Sequence, residues 1–113
     1  MAYAAGERKE RAPAEAVARV VYSRNALDNL ERAFDFLAEH DPEAAGGAAE
    51  AIRTAIEAVA RHPFIGRPIS GKLRELVISF GRTGYVALYR FVPARSEVRI
   101  LALRHQRELD YPG

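Results

Sequence analysis

The spacing of apolar residues changes along the chain, and each change marks an element. Ala18-Arg19-Val20-Val21-Tyr22 is a short β-branched run that predicts a first strand. Ser23 follows as a natural helix N-cap, and behind it Ala26, Leu27, Leu30, Ala33, Phe34, Leu37 and Ala38 recur at helical spacing. That pattern predicts an amphipathic helix to about residue 40, with Leu27, Leu30, Phe34 and Leu37 as core. Asp41-Pro42 breaks it, and Pro42 suits the first position of a second helix. Ala48, Ile52, Ala55, Ile56 and Val59 share one face of that helix, which stops at His62-Pro63. Gly46-Gly47 weakens its opening turns.

Pro63 to Pro68 reads as loop by its Pro and Gly content. Three β segments follow, Leu73–Phe80, Tyr85–Val92 and Val98–Leu103, joined by Gly81–Gly84 and Pro93–Ser96. Both connections are short enough for hairpins. Leu76, Ile78 and Phe80 share a face, whereas Tyr85–Val92 is apolar on both faces and so belongs in the middle of a sheet. Gly66 and Gly84 read as turn residues. The expected fold is α+β: an N-terminal strand, an αα-hairpin and a three-stranded antiparallel meander (β-α-α-β-β-β), with the helices on one face of a small curved sheet. Residues 1–17 are expected to be a flexible extension, and 18–113 one domain.

Composition narrows the chemistry. With 113 residues and 49% hydrophobic content, the chain suits one packed core. There is no cysteine, and His40, His62 and His105 lie too far apart in sequence for a metal-ligand spacing, so neither metal nor cofactor is expected. The apolar runs are too short for a membrane span, and the charged N-terminus does not fit a signal peptide; the expected location is the cytoplasm.

The net charge of +2 hides an asymmetry. Residues 1–60 carry seven Lys/Arg against eleven Asp/Glu; residues 61–113 carry ten against four. Lys9 and Lys72 are the only lysines. An arginine-rich half points to an acidic partner, because the guanidinium fork matches phosphate and carboxylate. For any single arginine, a solvated side chain or a surface pair with Glu75, Glu97 or Glu108 is the simpler account.

Several short motifs occur in order. They are Val20-Val21-Tyr22-Ser23 before an Ala-Leu-x-x-Leu helix, His62-Pro63-x-x-Gly66-Arg67, Leu73-Arg74-Glu75-Leu76, Gly84-Tyr85-Val86 with Leu88-Tyr89-Arg90, and Arg104-His105-Gln106-Arg107-Glu108. Together, over residues 18–111, they resemble the RelE/ParE toxin superfamily, and its ParE-like branch above all. The resemblance implies the toxin of a type II toxin–antitoxin system, cytoplasmic and held in a hetero-oligomer by a cognate antitoxin. RelE-like members cut mRNA on the ribosome; ParE-like members poison DNA gyrase.

Metal-free RNA cleavage needs a proton acceptor, a proton donor and cations around the phosphate. Lined up on Gly84-Tyr85, the resemblance puts the nuclease's basic positions at Val77, Ser79 and Val86. Arg107 matches the arginine after the last strand, and the tail tyrosine falls near Gly113, two residues beyond Tyr111. The missing cations favour gyrase poisoning without catalysis. The alternatives are a ribosome-dependent endonuclease using His105, Arg107 and Tyr111, and a non-toxic homologue that only binds antitoxin. Target contact is assigned to Arg82, Arg90, Arg104, His105 and Arg107. Antitoxin contact is assigned to Leu30, Phe34, Leu37, Arg74 and Tyr85.

Overall fold

The computed structural model describes residues 17–81, 83–108 and 111. The chain runs β1 (Arg19–Tyr22), α1 (Arg24–His40), α2 (Pro42–Arg61), β2 (Arg67–Ser70), β3 (Leu73–Phe80), β4 (Thr83–Val92), a 3-10 turn (Pro93–Arg95) and β5 (Glu97–His105). This is the α+β arrangement the sequence predicts, with one strand added. Arg67 and Pro68, read as loop, enter β2, which pairs antiparallel with β3. Pro68 is tolerated there because β2 is an edge strand. Most of the extension expected at residues 1–17 lies outside the described residues; Val17, at its end, is exposed.

Local signals account for the helices. The Ser23 hydroxyl accepts from the Ala26 N–H at 3.0 Å, and the Asp41 carboxylate accepts from Ala44 N–H at 3.2 Å, so each helix has its N-cap. Asp41 also closes α1, its N–H donating to Leu37 O. Pro42 then starts α2 directly, without delay at Gly46-Gly47. Gly47 has its own use: a Cβ there would come within 2.7 Å of the Phe80 ring. No helix among the described residues is long and apolar enough to cross a membrane.

The strands form one mixed sheet in the order β1-β5-β4-β3-β2, so β4 is central as its two apolar faces require. β1 is parallel to β5; the other pairs are antiparallel. The helices cover one face. Ala48, Ile52, Ile56 and Val59 from α2 and Ala26 from α1 meet Ile78, Tyr85, Ala87, Tyr89, Val98, Ile100 and Leu103 in a single core. Leu30, Phe34 and Leu37 pack against it. Leu27, expected in the core, is instead 47% exposed. Its position on α1 turns away from the sheet, as does Phe36, which is 62% exposed and stacks on His40.

Gly84 lies inside β4 rather than in a turn, and Gly66 sits at the bend that leads into β2. A Cβ on Gly66 would lie 2.6 Å from the Tyr89 ring and 2.7 Å from the Glu75 carbonyl oxygen. A Cβ on Gly84, inside β4, would lie 2.7 Å from the Ile78 carbonyl oxygen. Both are glycine because another part of the chain passes too close for a side chain. The turn glycines with positive φ among the described residues are Gly71, at +55°, and Gly81, at +59°.

Candidate functional site on the open face of the sheet

The face away from the helices is set by the strand register. Glu75 lies opposite Leu88, Val77 opposite Val86, and Ser79 opposite Gly84. On the other side of β4, Leu88 lies opposite Ala102 and Val86 opposite Arg104. Arg104 reaches this face through a bulge. The register shifts between Leu88, which faces Ala102, and Tyr89, which faces Ile100, leaving Leu101 as the extra residue. Ile100 and Leu103 both join the core as a result. Regular alternation from Ile100 would have sent Ala102 and Arg104 into the core instead.

Helix α1 holds the bulge. Ser23 Oγ and Asn25 Nδ2 donate to the Leu101 carbonyl oxygen at 3.0 and 3.2 Å, and Leu103 N–H donates to Asn29 Oδ1 at 2.9 Å. Asn29 is 3% exposed; its Oδ1 is satisfied by this bond, while its Nδ2 is buried without a hydrogen-bond partner among the described residues.

Arg104 then organises the end of the chain. Its Nη1 donates to the Glu108 carbonyl oxygen at 2.6 Å and lies 3.4 Å from those of His105 and Gln106. Its guanidinium lies 5.1 Å from the centroid of the Tyr111 ring. Tyr111 Oη donates to Glu75 Oε2 at 2.7 Å, while Arg67 Nη2 reaches Glu75 Oε1 at 3.0 Å and Arg104 Nη2 lies 3.9 Å from Oε2. The result is one cluster drawn from β2, β3, β5 and the tail: Arg67, Glu75, Arg104 and Tyr111. Glu75 is 9% exposed, so this is not the surface ion pair the sequence suggests. The Tyr111 hydrogen bond, then the Arg67 pairing, holds its carboxyl below the usual range against the opposing effect of burial. Burial, followed by the adjacent Glu75, raises the Tyr111 hydroxyl well above its ordinary value, so it stays a donor at neutral pH.

A second cluster occupies the β1 end of the same face. Glu97 is 3% exposed and accepts from Arg99 Nε and from Arg19 Nη2, both at 2.7 Å. Those two guanidinium groups, Arg99 first, keep its carboxyl low.

The candidate residues therefore separate. Arg104 and Tyr111 meet on the open face. His105 does not join them: it lies opposite Tyr85 on the helix side, its ring edge-on to Tyr85 at 5.6 Å, and its Nδ1 accepts from Arg107 N–H at 3.1 Å. The His105, Arg107, Tyr111 set thus straddles the sheet. Arg90 is exposed on the open face, and Arg82 lies outside the described residues. Arg74 is used within the fold, donating to the carbonyl oxygens of Phe64 and Gly66 at 3.1 and 2.7 Å and lying over the Phe64 ring. Tyr85 is 4% exposed, yet it lines a cleft of about 470 Å³ with Ala33, Phe36, Leu103, Arg104 and His105. Sequence reasoning did not reach Arg67, Glu75, Asn29 or the Arg19–Glu97–Arg99 group as sites. The advance signal was the polar Glu75 inside a predicted strand; Glu97 preceded the strand predicted at Val98–Leu103.

Comparison with known proteins agrees with this architecture. The family model for the ParE toxin of the type II toxin–antitoxin system parDE matches residues 20–110. Toxin RelE3 of Caulobacter vibrioides is 38% identical over 86 residues, covering 76% of this chain and 88% of the relative. Toxin RelE2 of the same organism is 33% identical over 93 residues, covering 82% and 100%. Among solved structures, the chromosomal ParDE system of P. aeruginosa superposes with a TM-score of 0.63 at 20% identity, covering 80% of this chain and 97% of that one. The RelBE2 toxin–antitoxin complex of Mycobacterium tuberculosis gives a TM-score of 0.52 at 23% identity, covering 79% and 98%. The chain belongs to the ParE toxin family, within the RelE/ParE superfamily of type II toxin–antitoxin toxins.

Proposed function

We propose that this toxin arrests growth by inhibiting DNA gyrase, acts without catalysis, and is neutralised by a cognate antitoxin. One observation carries the choice of target. Val77, Ser79 and Val86, where a metal-free nuclease of this superfamily is expected to place cations, sit together around the β3–β4 ladder of the open face, and Val77 is 55% exposed. A dianionic phosphorane gains no electrostatic stabilisation from the valine pair, and each absent cation costs a few kcal/mol of barrier, on the order of a hundredfold in rate.

The antitoxin reading rests on a different surface. Phe36 stands exposed at the mouth of the cleft floored by Tyr85 and Leu103, and Arg32, Arg104, His105 and Glu108 supply a polar rim. An apolar floor with a charged rim, in which Arg32 and Arg104 outnumber Glu108, suits an amphipathic partner segment. The solved ParDE and RelBE2 assemblies are toxin–antitoxin complexes of the same fold.

A nuclease reading has one favourable observation, the Tyr111–Glu75–Arg104 cluster with a hydroxyl, a carboxylate and a guanidinium on the open face. Inducible expression, with DNA and protein synthesis followed separately, tests the choice. Early failure of DNA synthesis and inhibition of purified gyrase supercoiling are the expected results. Early failure of translation with cut mRNA overturns the gyrase reading.

A further inference from the structure

The Arg19–Glu97–Arg99 group plays no part in the cluster at Tyr111, and its geometry is that of an assembled anion site. Glu97 is buried beneath two arginines and spends one carboxylate oxygen on each. Arg99 is held through Nε alone, which leaves its two terminal nitrogens unbonded among the described residues. Arg19 is likewise held through one terminal nitrogen, and its side chain is 68% exposed. The buried carboxylate holds Arg99 at the base of its fork and Arg19 at one tip, and both arginine side chains stay partly exposed, at 41% and 68%.

Arg90 completes the group. It stands directly across the β4–β5 ladder from Arg99, on the same face. Like charges directly opposite each other in a sheet are destabilising, and no carboxylate among the described residues pairs with Arg90. Arg95, at the end of the adjoining 3-10 turn, is exposed as well. Three guanidinium groups on adjacent strands therefore stand beside one buried carboxylate, which pairs with Arg19 and Arg99 and leaves Arg90 without a counter-charge among the described residues.

We propose that the Arg19–Arg90–Arg99 corner of the open face is a phosphate site that grips the sugar-phosphate backbone of a nucleic acid. Guanidinium rather than ammonium groups favour planar, bidentate binding of phosphate oxygens. An acidic peptide is the weaker fit, because an added strand docks along a sheet edge, whereas Arg99 and Arg90 stand on the inner strands β5 and β4. The inference does not depend on gyrase being the target.

The test is fluorescence anisotropy of the full chain with a short labelled DNA duplex and, separately, a short labelled RNA strand, between about 50 and 200 mM salt. The expected result is salt-dependent binding of at least one probe. Arg90→Gln and Arg99→Gln each weaken it and reduce the log–log salt slope by about one. The stronger probe tells a DNA source of the phosphates from an RNA source. Arg53→Gln on α2, with the same change in net charge and its Glu50 and Glu57 partners on the helix surface, leaves binding unchanged. Arg90→Gln carries the test if Arg99→Gln unfolds by orphaning Glu97. Absence of binding to both probes overturns the proposal, as does equal weakening by Arg53→Gln. Tighter capture of a labelled polyglutamate peptide, lost in the same variants, overturns it in favour of an acidic peptide. A chain that inhibits gyrase yet binds neither probe loses this inference alone.

Discussion

Asn29 accepts the N–H of Leu103 through Oδ1 at 2.9 Å, and this bond between the first helix and the last strand decides which way the end of the chain faces. It fixes β5 immediately after the Leu101 bulge, and the bulge sends Arg104 to the open face. Asn29→Ala leaves the Leu103 N–H buried without a partner. The expected loss is about 1–3 kcal/mol of unfolding free energy, read from the denaturant midpoint. Amide exchange at Leu103 is expected to accelerate more than at Val98, farther from the bulge. Equal protection at both sites would show that the bulge stands without α1.

The connection from α2 to β2 is locked by Tyr89. Its hydroxyl donates to the Pro63 carbonyl oxygen at 2.7 Å and accepts from Gly66 N–H at 2.9 Å, in a residue that is 0% exposed. Tyr89→Phe removes both bonds and is expected to cost about 1–3 kcal/mol. Gly66→Ala meets the Tyr89 ring at 2.6 Å and the Glu75 backbone at 2.7 Å, and overpacking of that kind costs about 1–3 kcal/mol. Thermal unfolding of both single variants and of the pair is the check. The pair is expected to be non-additive, because both changes act on one contact.

Glu75 makes stability fall in acid. Its folded pKa is held below its unfolded value by Tyr111 and then Arg67, so the carboxylate's contribution is fully present above the unfolded pKa, about 4.3. It is lost as pH falls through the lower folded value. Unfolding midpoints measured from pH 6 to pH 3 are expected to drop for the natural chain. Glu75→Gln should start lower at pH 6 and decline less steeply.

Tyr111 separates the two chemical readings. Tyr111→Phe keeps the ring against Arg104 and removes the hydroxyl bond to Glu75, a stability loss of about 0.5–1.5 kcal/mol. A gyrase poison is expected to remain toxic with this change; a nuclease that uses the hydroxyl is not. Growth after induction, with protein level matched by immunoblot, gives the answer.

Truncation after Leu103 removes Arg104 and the whole tail cluster. It is expected to abolish growth arrest while antitoxin capture survives on the apolar floor, since Phe36, Tyr85 and Leu103 stay in the cleft when the Arg104, His105 and Glu108 part of its rim is removed. Co-purification with the antitoxin and a growth curve check the two halves. Unchanged toxicity would show that the tail is not the active surface.

What the sequence determined is whatever depends on neighbours in the chain. Ser23 and Asp41 cap helices because the N–H groups they satisfy lie three residues on, and the apolar periods of α1 and α2 mark their faces. The two apolar faces of Tyr85–Val92 place that strand at the centre of the sheet. Tertiary structure decided what depends on partners distant in sequence. β2 is a strand only because β3 lies beside it, and Gly66 is glycine only because Tyr89 passes within contact. The face taken by Arg104 follows from one extra residue at Leu101. Alternation of polar and apolar residues cannot register that residue, because the bulge is stabilised by Ser23, Asn25 and Asn29, more than seventy positions earlier. The site was therefore legible as residue types and illegible as a place: Glu75 meets Tyr111, and Arg19 meets Glu97, only after parallel and antiparallel pairing has brought the two ends of the chain onto one sheet.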